Sequence, residues 1–364
     1  MKRILALVPA CLLLIALVAP PGAIAYGERY AHPYTRPQPN VSSSPTGLSP
    51  ATIKSVYGFT TSNTAGAGKT IAIVDAYDDP NAEADLNVFS SQYGLPACTT
   101  ANGCFKKVNQ TGGTRAPRSN SGWALEISLD IQWAHAIAPG AKILLVEASS
   151  NSFTNLLAAE DYAKTHAQYV SNSWGGSEFS GETGTAYDGH FAQSGVSIFV
   201  SAGDNGTPAE YPSASRNVIS VGGTTLHFSG TTFSGETGWS GGGGGCSLYE
   251  TATSAQSSFG GYANVSCGGK RATPDLSLDA DPASGVSVYD SFKYQGQTGW
   301  WTVGGTSASS PMAAAHAAVL GIVVDSTHVY GLASGALRDV TSGNNGAPCL
   351  VGYDLCTGRG AWIE

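Results

Sequence analysis

Thr70-Ile-Ala-Ile-Val-Asp75 is a short apolar, β-branched run that ends on an acid, and Ala141-Lys-Ile-Leu-Leu-Val-Glu147 repeats the pattern. Tyr169-Val-Ser-Asn-Ser173, Val196-Ser-Ile-Phe-Val-Ser201 and Val218-Ile-Ser-Val221 follow. Runs of this kind suit strands buried on both faces. Between them lie helical candidates at 81–93, 123–137, 153–167 and 184–194. Strands alternating with helices predict βαβ units, hence an α/β fold with a central parallel sheet flanked by helices. In such sheets, sites form outside the carboxyl ends of the strands. Polar residues gather at those ends: Asp75, Ser173-Trp174 and Ala202-Gly203-Asp204.

Composition narrows the classes. The chain has 364 residues, with 18 Lys+Arg against 26 Asp+Glu and a net charge of −8. Charged residues are 12% of the total, about half the usual ~25%. Hydrophobic residues are 42%, which excludes intrinsic disorder. The acidic balance excludes an electrostatic nucleic-acid binder. Met1-Lys2-Arg3, the apolar stretch Ile4 to Pro20 and Ala23-Ile24-Ala25 form a secretory signal pattern, with cleavage expected after Ala25 and a secreted product. No later segment approaches the ~18 apolar residues of a spanning helix, so no membrane association is expected after cleavage.

Cysteine usage agrees with export. Cys11 lies in the signal segment, and six cysteines remain. They fall into three sequence-local pairs, 98–104, 246–267 and 349–356, which are expected to be disulfides. No Cys-x-x-Cys or His-rich spacing suggests a metal site instead. Residues 26–50 are rich in Pro, Ser, Tyr and Asn and read as an extended arm or short pro-segment. Residues 51–364 read as one domain without linker or repeat.

Gly304-Gly-Thr-Ser-Ala-Ser-Ser-Pro311 places Ser307 just before a helix. Small residues let a substrate backbone come close, and a helix N-terminus supplies aligned N–H donors. That suits a nucleophile, although Ser and Thr are also ordinary helix caps. A nucleophilic serine needs a base. His135, at the end of the helical run from Trp123, is one candidate. On a helix Glu126 and Asp130 share a face, one turn apart. His135 lies on the opposite face and reads as a residue favoured by the helix dipole. Glu126 and Asp130 sit among Leu125, Ile127, Leu129, Ile131 and Trp133. Two acids in apolar company are expected to share a proton, with one pKa raised, and a raised carboxyl can act as general base in acid. Asp204 follows an apolar run in a Gly-flanked turn. Kept protonated, it could donate to an oxyanion; its plainer role is to satisfy its own turn.

Taken together, Glu126-x-x-x-Asp130, Ser-Ala-Gly-Asp204 and Gly-Gly-Thr-Ser307 resemble the serine-carboxyl peptidases, the sedolisins, over most of the chain. The resemblance implies a single subtilisin-like domain and hydrolysis of protein or peptide substrates at acidic pH. It implies Ser307 as nucleophile, Glu126 as base and acid, Asp130 as its orienting partner, and Asp204 as oxyanion donor. Val170-Ser-Asn-Ser-Trp-Gly-Gly176 is similar to the family's substrate-binding edge strand, which implicates Ser171, Ser173, Gly175 and Gly176. Asp75 and Trp174 match positions that extend the carboxyl network in some members. The resemblance also implies one calcium ion near the C-terminus. Asp339 and Asp354 would supply side chains, and Val340, Leu350 and Gly352 carbonyls; oxygen-only ligation suits that ion. Leu350 stands where the family usually has glycine. Family precursors carry a long folded pro-domain, whereas about 25 residues here separate the signal from the catalytic region. A monomer is expected. The alternatives are a His-dependent subtilisin-type enzyme using Asp75, His135 and Ser307, and an inactive binding protein on a peptidase scaffold.

Overall fold

A computed structural model describes residues 28–363; the expected signal segment lies outside them. Seven parallel strands form the centre of the main sheet. In spatial order they are Leu276–Asp279, Ile219–Ser229, Ser197–Ser201, Tyr169–Asn172, Thr70–Ala76, Lys142–Ala148 and Phe105–Asn109. Each expected apolar run is one of these strands, and each is buried or nearly so. The chain leaves Thr70–Ala76 on one side and returns to Tyr169–Asn172 on the other. That reversal opens a crevice at the carboxyl ends of the two strands, where Asp75 and Ser173 stand. Apolar layers fill both faces of the sheet.

Helix Ser121–Ile137 is capped by Asn120, whose side chain accepts from the N–H groups of Gly122 and Trp123. Every residue from Trp123 to Ile137 is buried. A helix that is apolar on all sides belongs in a core, so Glu126 and Asp130 have no solvent face. The hairpin Val286–Tyr294 with Gln297–Gly304 delivers the chain into helix Thr306–Leu320 through Gly305. Gly305 has φ +100, a left-handed conformation that favours glycine.

Some elements differ from expectation. The segment 184–194 forms only a short 3-10 turn, Asp188–Phe191. Gly184 and Gly189 each weaken a helix there by ~1 kcal/mol. Helix Pro50–Tyr57 was not expected; Ser49 caps it by accepting from Thr52 N–H. The three disulfides pair 98–104, 246–267 and 349–356, as expected. Among the described residues no helix is long and apolar enough to cross a membrane.

The described part of the arm is extended, but it does not hang free. His32–Pro33 pairs antiparallel with edge strand Trp174–Ser177. Arg36–Pro37 then pairs antiparallel with Gln297–Gly304. The arm therefore crosses the crevice from one sheet edge to another.

Candidate active site

Ser307 is the second residue of helix Thr306–Leu320 and is fully buried. Its hydroxyl lies 3.5 Å from the carbonyl oxygen of Ser173. Glu126 approaches from the buried helix and faces the Ser307 hydroxyl, Asp130 and Asp204. The Thr35 hydroxyl of the arm donates to Glu126 Oε2. Burial pushes Glu126 up to about 8, against the hydroxyls of Ser307 and Thr35, which favour the carboxylate. Asp130 and Asp75 are also fully buried; Asp130 faces the Ser173 hydroxyl and Glu126, and among the described residues none donates a hydrogen bond to Asp75. Burial raises both well above the carboxylate range, reinforced by like charge: Asp75 and Glu126 act on Asp130, and Glu126 and Glu147 on Asp75. Three acids buried side by side cannot all ionise, so this network holds protons.

Asp204 closes the other side. Its Oδ1 accepts from Thr306 N–H at 2.7 Å and from the Thr306 hydroxyl at 3.0 Å. Its Oδ2 accepts from Arg36 Nε at 3.1 Å. Burial pushes it up to about 7, against the Thr306 N–H and the Arg36 charge. A neutral carboxyl there can donate a hydrogen bond toward a developing oxyanion.

Strand Trp174–Ser177 carries the arm along one side and Glu210–Tyr211 along the other. Gly175 pairs with His32 of the arm, and the Ser173 carbonyl accepts from Tyr34 N–H at 3.3 Å. Gly176 pairs with Tyr211. The Ser171 hydroxyl meets that of Ser310 at 2.9 Å, beneath helix Thr306–Leu320. It braces that helix, because strand alternation turns it to the buried face. Trp174 donates its indole N–H to the Val74 carbonyl at 2.9 Å, so it fixes the strand end beside Asp75 rather than the carboxyl of Asp75. His135 is spent elsewhere: its Nε2 meets the Pro96 carbonyl at 2.8 Å. It lies beside Cys98 and Cys104, whose sulfurs are consumed in a disulfide. The His-dependent alternative thus loses its base.

The serine and carboxyls, set at the C-terminal edge of a parallel sheet, suit acyl transfer. Residues 117–332 match the model of the subtilase family, more than half of the chain. The chain belongs to the subtilase family. Within it, its relatives and its carboxyl constellation place it among the sedolisins. It is 32% identical to kumamolisin of Bacillus sp. (strain MN-32), over 88% of this chain and 63% of that protein. It is 29% identical to sedolisin of Pseudomonas sp. (strain 101), over 86% of this chain and 58% of that protein. Xanthomonalisin of Xanthomonas sp. (strain T-22) is 30% identical, over 90% and 47%. The chain thus spans about half to two thirds of the length of these relatives. The solved structure of Pseudomonas sedolisin with pseudo-iodotyrostatin superposes with a TM-score of 0.74 at 28% identity, covering 88% of this chain and 96% of that one.

Several groups at this sedolisin-like site had no signal in the sequence. Tyr34, Thr35 and Arg36 sit in a Pro- and Ser-rich arm with no helix or strand period. Glu210 is fixed by a two-residue strand, Glu210–Tyr211, too short to show alternation. In the C-terminal loop, Asp339 Oδ2 accepts from Gly352 N–H at 2.9 Å, and Asp354 Oδ2 accepts from Leu350 N–H at 2.7 Å. Asp354 Oδ1 accepts from the N–H groups of Cys356 and Thr357. Val340 is buried next to Asp339.

Proposed function

We propose that the protein is a secreted endopeptidase that hydrolyses peptide bonds in acid. Ser307 attacks the carbonyl carbon, and the Glu126–Asp130 pair takes its proton. The pair then returns the proton to the leaving amine while Asp204 donates to the oxyanion. The observation that carries this reading is the buried carboxyl cluster converging on Ser307. Asp130 and Asp75 act on one another and on Glu126, so their protons serve the network. Acid favours the neutral form of Asp204 that oxyanion donation needs. The Ser307 and Thr35 hydroxyls favour the carboxylate of Glu126, so the charge the pair carries once it has lost a proton rests there and supplies the base. Residues 51–364 form the peptidase domain in this reading, and 26–50 an arm before it. The substrates are proteins or peptides laid along 173–176, and the enzyme works as a monomer.

The same reading gives the C-terminal loop one calcium ion. The donor chemistry fits a hard cation, since the Asp339 and Asp354 carboxylates and the carbonyls of Val340, Leu350 and Gly352 offer only oxygen. Binding would exchange the N–H groups now facing those carboxylates for the ion. Calcium would tie the loop to the domain; it takes no part in the steps above.

The test is hydrolysis of casein by purified protein between pH 3 and 8, for wild type, Ser307→Ala and Glu126→Gln. Activity confined to acid and lost in both variants is expected, with melting temperatures close to wild type. Activity retained in Glu126→Gln would refute the carboxyl base. No hydrolysis by wild type would favour the inactive-scaffold alternative.

A further inference from the structure

Cys98, Cys104 and His135 meet near the end of helix Ser121–Ile137, the helix that carries Glu126 and Asp130. The two sulfurs and a ring nitrogen of His135 lie within 4.8 Å of one another. Cys98 and His135 are fully buried, and Cys104 is half-buried. His135 Nε2 lies 2.8 Å from the Pro96 carbonyl oxygen, which can only accept, so Nε2 carries the ring proton. Nδ1 keeps its lone pair, is buried, and has no partner among the described residues. A ring N–H held by a backbone carbonyl is how metal-ligating histidines are oriented. Burial lowers the pKa of the ring, with the Pro96 carbonyl opposing and Lys54 of helix Pro50–Tyr57 assisting, so the ring is neutral at pH 7.

The loop between the two cysteines is held by more than its bridge. Asn102 Oδ1 accepts from Thr99 N–H at 3.1 Å and from Cys104 N–H at 3.0 Å. The Thr99 carbonyl accepts from the N–H groups of Cys104 and Phe105, both at 3.1 Å. Glu83, on helix Ala82–Tyr93, accepts from the N–H and the hydroxyl of Thr100, each at 2.8 Å. These bonds keep the two Cα atoms together, 4.9 Å apart, whether or not the sulfurs are joined. With a zinc–sulfur length of ~2.3 Å, two thiolates on one tetrahedral ion stand ~3.8 Å apart, a separation such a loop can supply.

We propose that Cys98, Cys104 and His135 form a metal site when their bridge is open: two thiolates and one imidazole bind a single divalent ion of the zinc class. A dithiol opens the bridge by exchange. Its two electrons and two protons pass to Cys98 and Cys104, and it leaves as its own disulfide. The ion then displaces the two thiol protons and takes the Nδ1 lone pair of His135. Water fills the fourth position, as in open sites built from two cysteines and one histidine. Sulfur and imidazole suit this ion, whereas the oxygen-only loop at the C-terminus suits a hard cation. The bound ion clamps loop 98–104 to the last turn of the helix that carries the carboxyl pair. The site stands apart from Ser307 and does not rest on the peptidase reading.

The test uses the full chain as Ser307→Ala, so that self-digestion cannot intervene, reduced at pH 7.5 with a dithiol that is then removed. Cobalt(II) is the probe. One equivalent should give a thiolate-to-cobalt charge-transfer band and tetrahedral visible bands, and zinc should displace it. The oxidised chain should give neither. Adding His135→Gln should weaken cobalt binding to the reduced chain by at least ~10-fold. Cys104→Ser should abolish the bands, whereas replacing Cys246 with Cys267, or Cys349 with Cys356, by serine should keep them. Acidification to pH 5 should release the ion as the thiolates take up protons. Circular dichroism of each reduced chain reports folding. A folded reduced chain without bands, bands that survive His135→Gln and Cys104→Ser undiminished, or a fold lost on reduction of the 98–104 bridge each overturns the proposal and leaves the peptidase reading untouched.

Discussion

Raising the pH from 4 to 8 should strip this protein of stability, because its buried acids are protonated in the folded chain. Burial pushes Glu126, Glu147 and Glu160 up to about 8, and Asp79 and Asp204 up to about 7. In the unfolded chain such groups titrate near ~4. Between those limits the folded state binds more protons, so stability falls as pH rises. The contribution is fully present below about pH 4 and is lost as pH climbs through 7 to 8. One unit is worth ~1.4 kcal/mol, so a group raised by about three units loses ~4 kcal/mol. Relaxation and entering water reduce this. Even a third of it from each of these five groups removes ~7 kcal/mol, comparable to a domain's whole stability. The assay is thermal unfolding followed by circular dichroism across this range, in Ser307→Ala so that self-digestion cannot intervene. Tm should fall by ~10–20 °C from pH 4 to 8. Glu160→Gln should flatten part of the slope; Glu160 faces Asn172 and plays no part in the chemistry. A Tm that is level or rises over this range refutes the reasoning.

Asp204→Ala should cost ~10²–10³ in kcat, the usual loss for an oxyanion donor. Asp204→Asn, which keeps a neutral donor, should cost less and move the alkaline limb of kcat/KM above pH 7; a limb unmoved by Asn assigns it to another group. Calcium added to chelated protein should raise Tm, by the equivalent of ~2.7 kcal/mol at 100 times Kd, and Asp339→Ala should abolish that rise. A Tm indifferent to both calcium and chelator removes the ion from the C-terminal loop.

The parallel core was legible because central strands leave a mark at every residue. In Thr70–Ala76 and Lys142–Ala148 both faces are covered, so the sequence runs apolar without a break. Phe105–Asn109 went unread because it is the edge of that sheet. Lys106 is exposed and Lys107 half-buried in a five-residue strand, and charge is how edges are kept from pairing further. Segment 184–194 failed in the opposite sense, since its apolar spacing suits a helix while its glycines do not hold one.

The site divides along the same line. Glu126 and Asp130 stood out because a carboxylate is costly among apolar neighbours, so its presence demands a purpose that sequence alone can state. Ser307 and Asp204 stood out because glycine turns mark where two backbones must approach. Tyr34, Thr35, Arg36 and Glu210 carry no such mark. Each is held by a partner more than 90 positions away: Thr35 by Glu126, Arg36 by Asp204, and Tyr34 and Glu210 by one another. The arm's order comes from the body of the domain, through Asn151 and Phe153 at one end and Trp300 and Gly285 at the other. Arg36 makes the consequence concrete. Its charge favours the ionised form of Asp204, the form that cannot donate to an oxyanion. In the proposed mechanism an arm-filled crevice therefore opposes the protonation that oxyanion donation by Asp204 needs, and Arg36→Ala should move the alkaline limb of kcat/KM upward; a limb that does not move refutes the coupling.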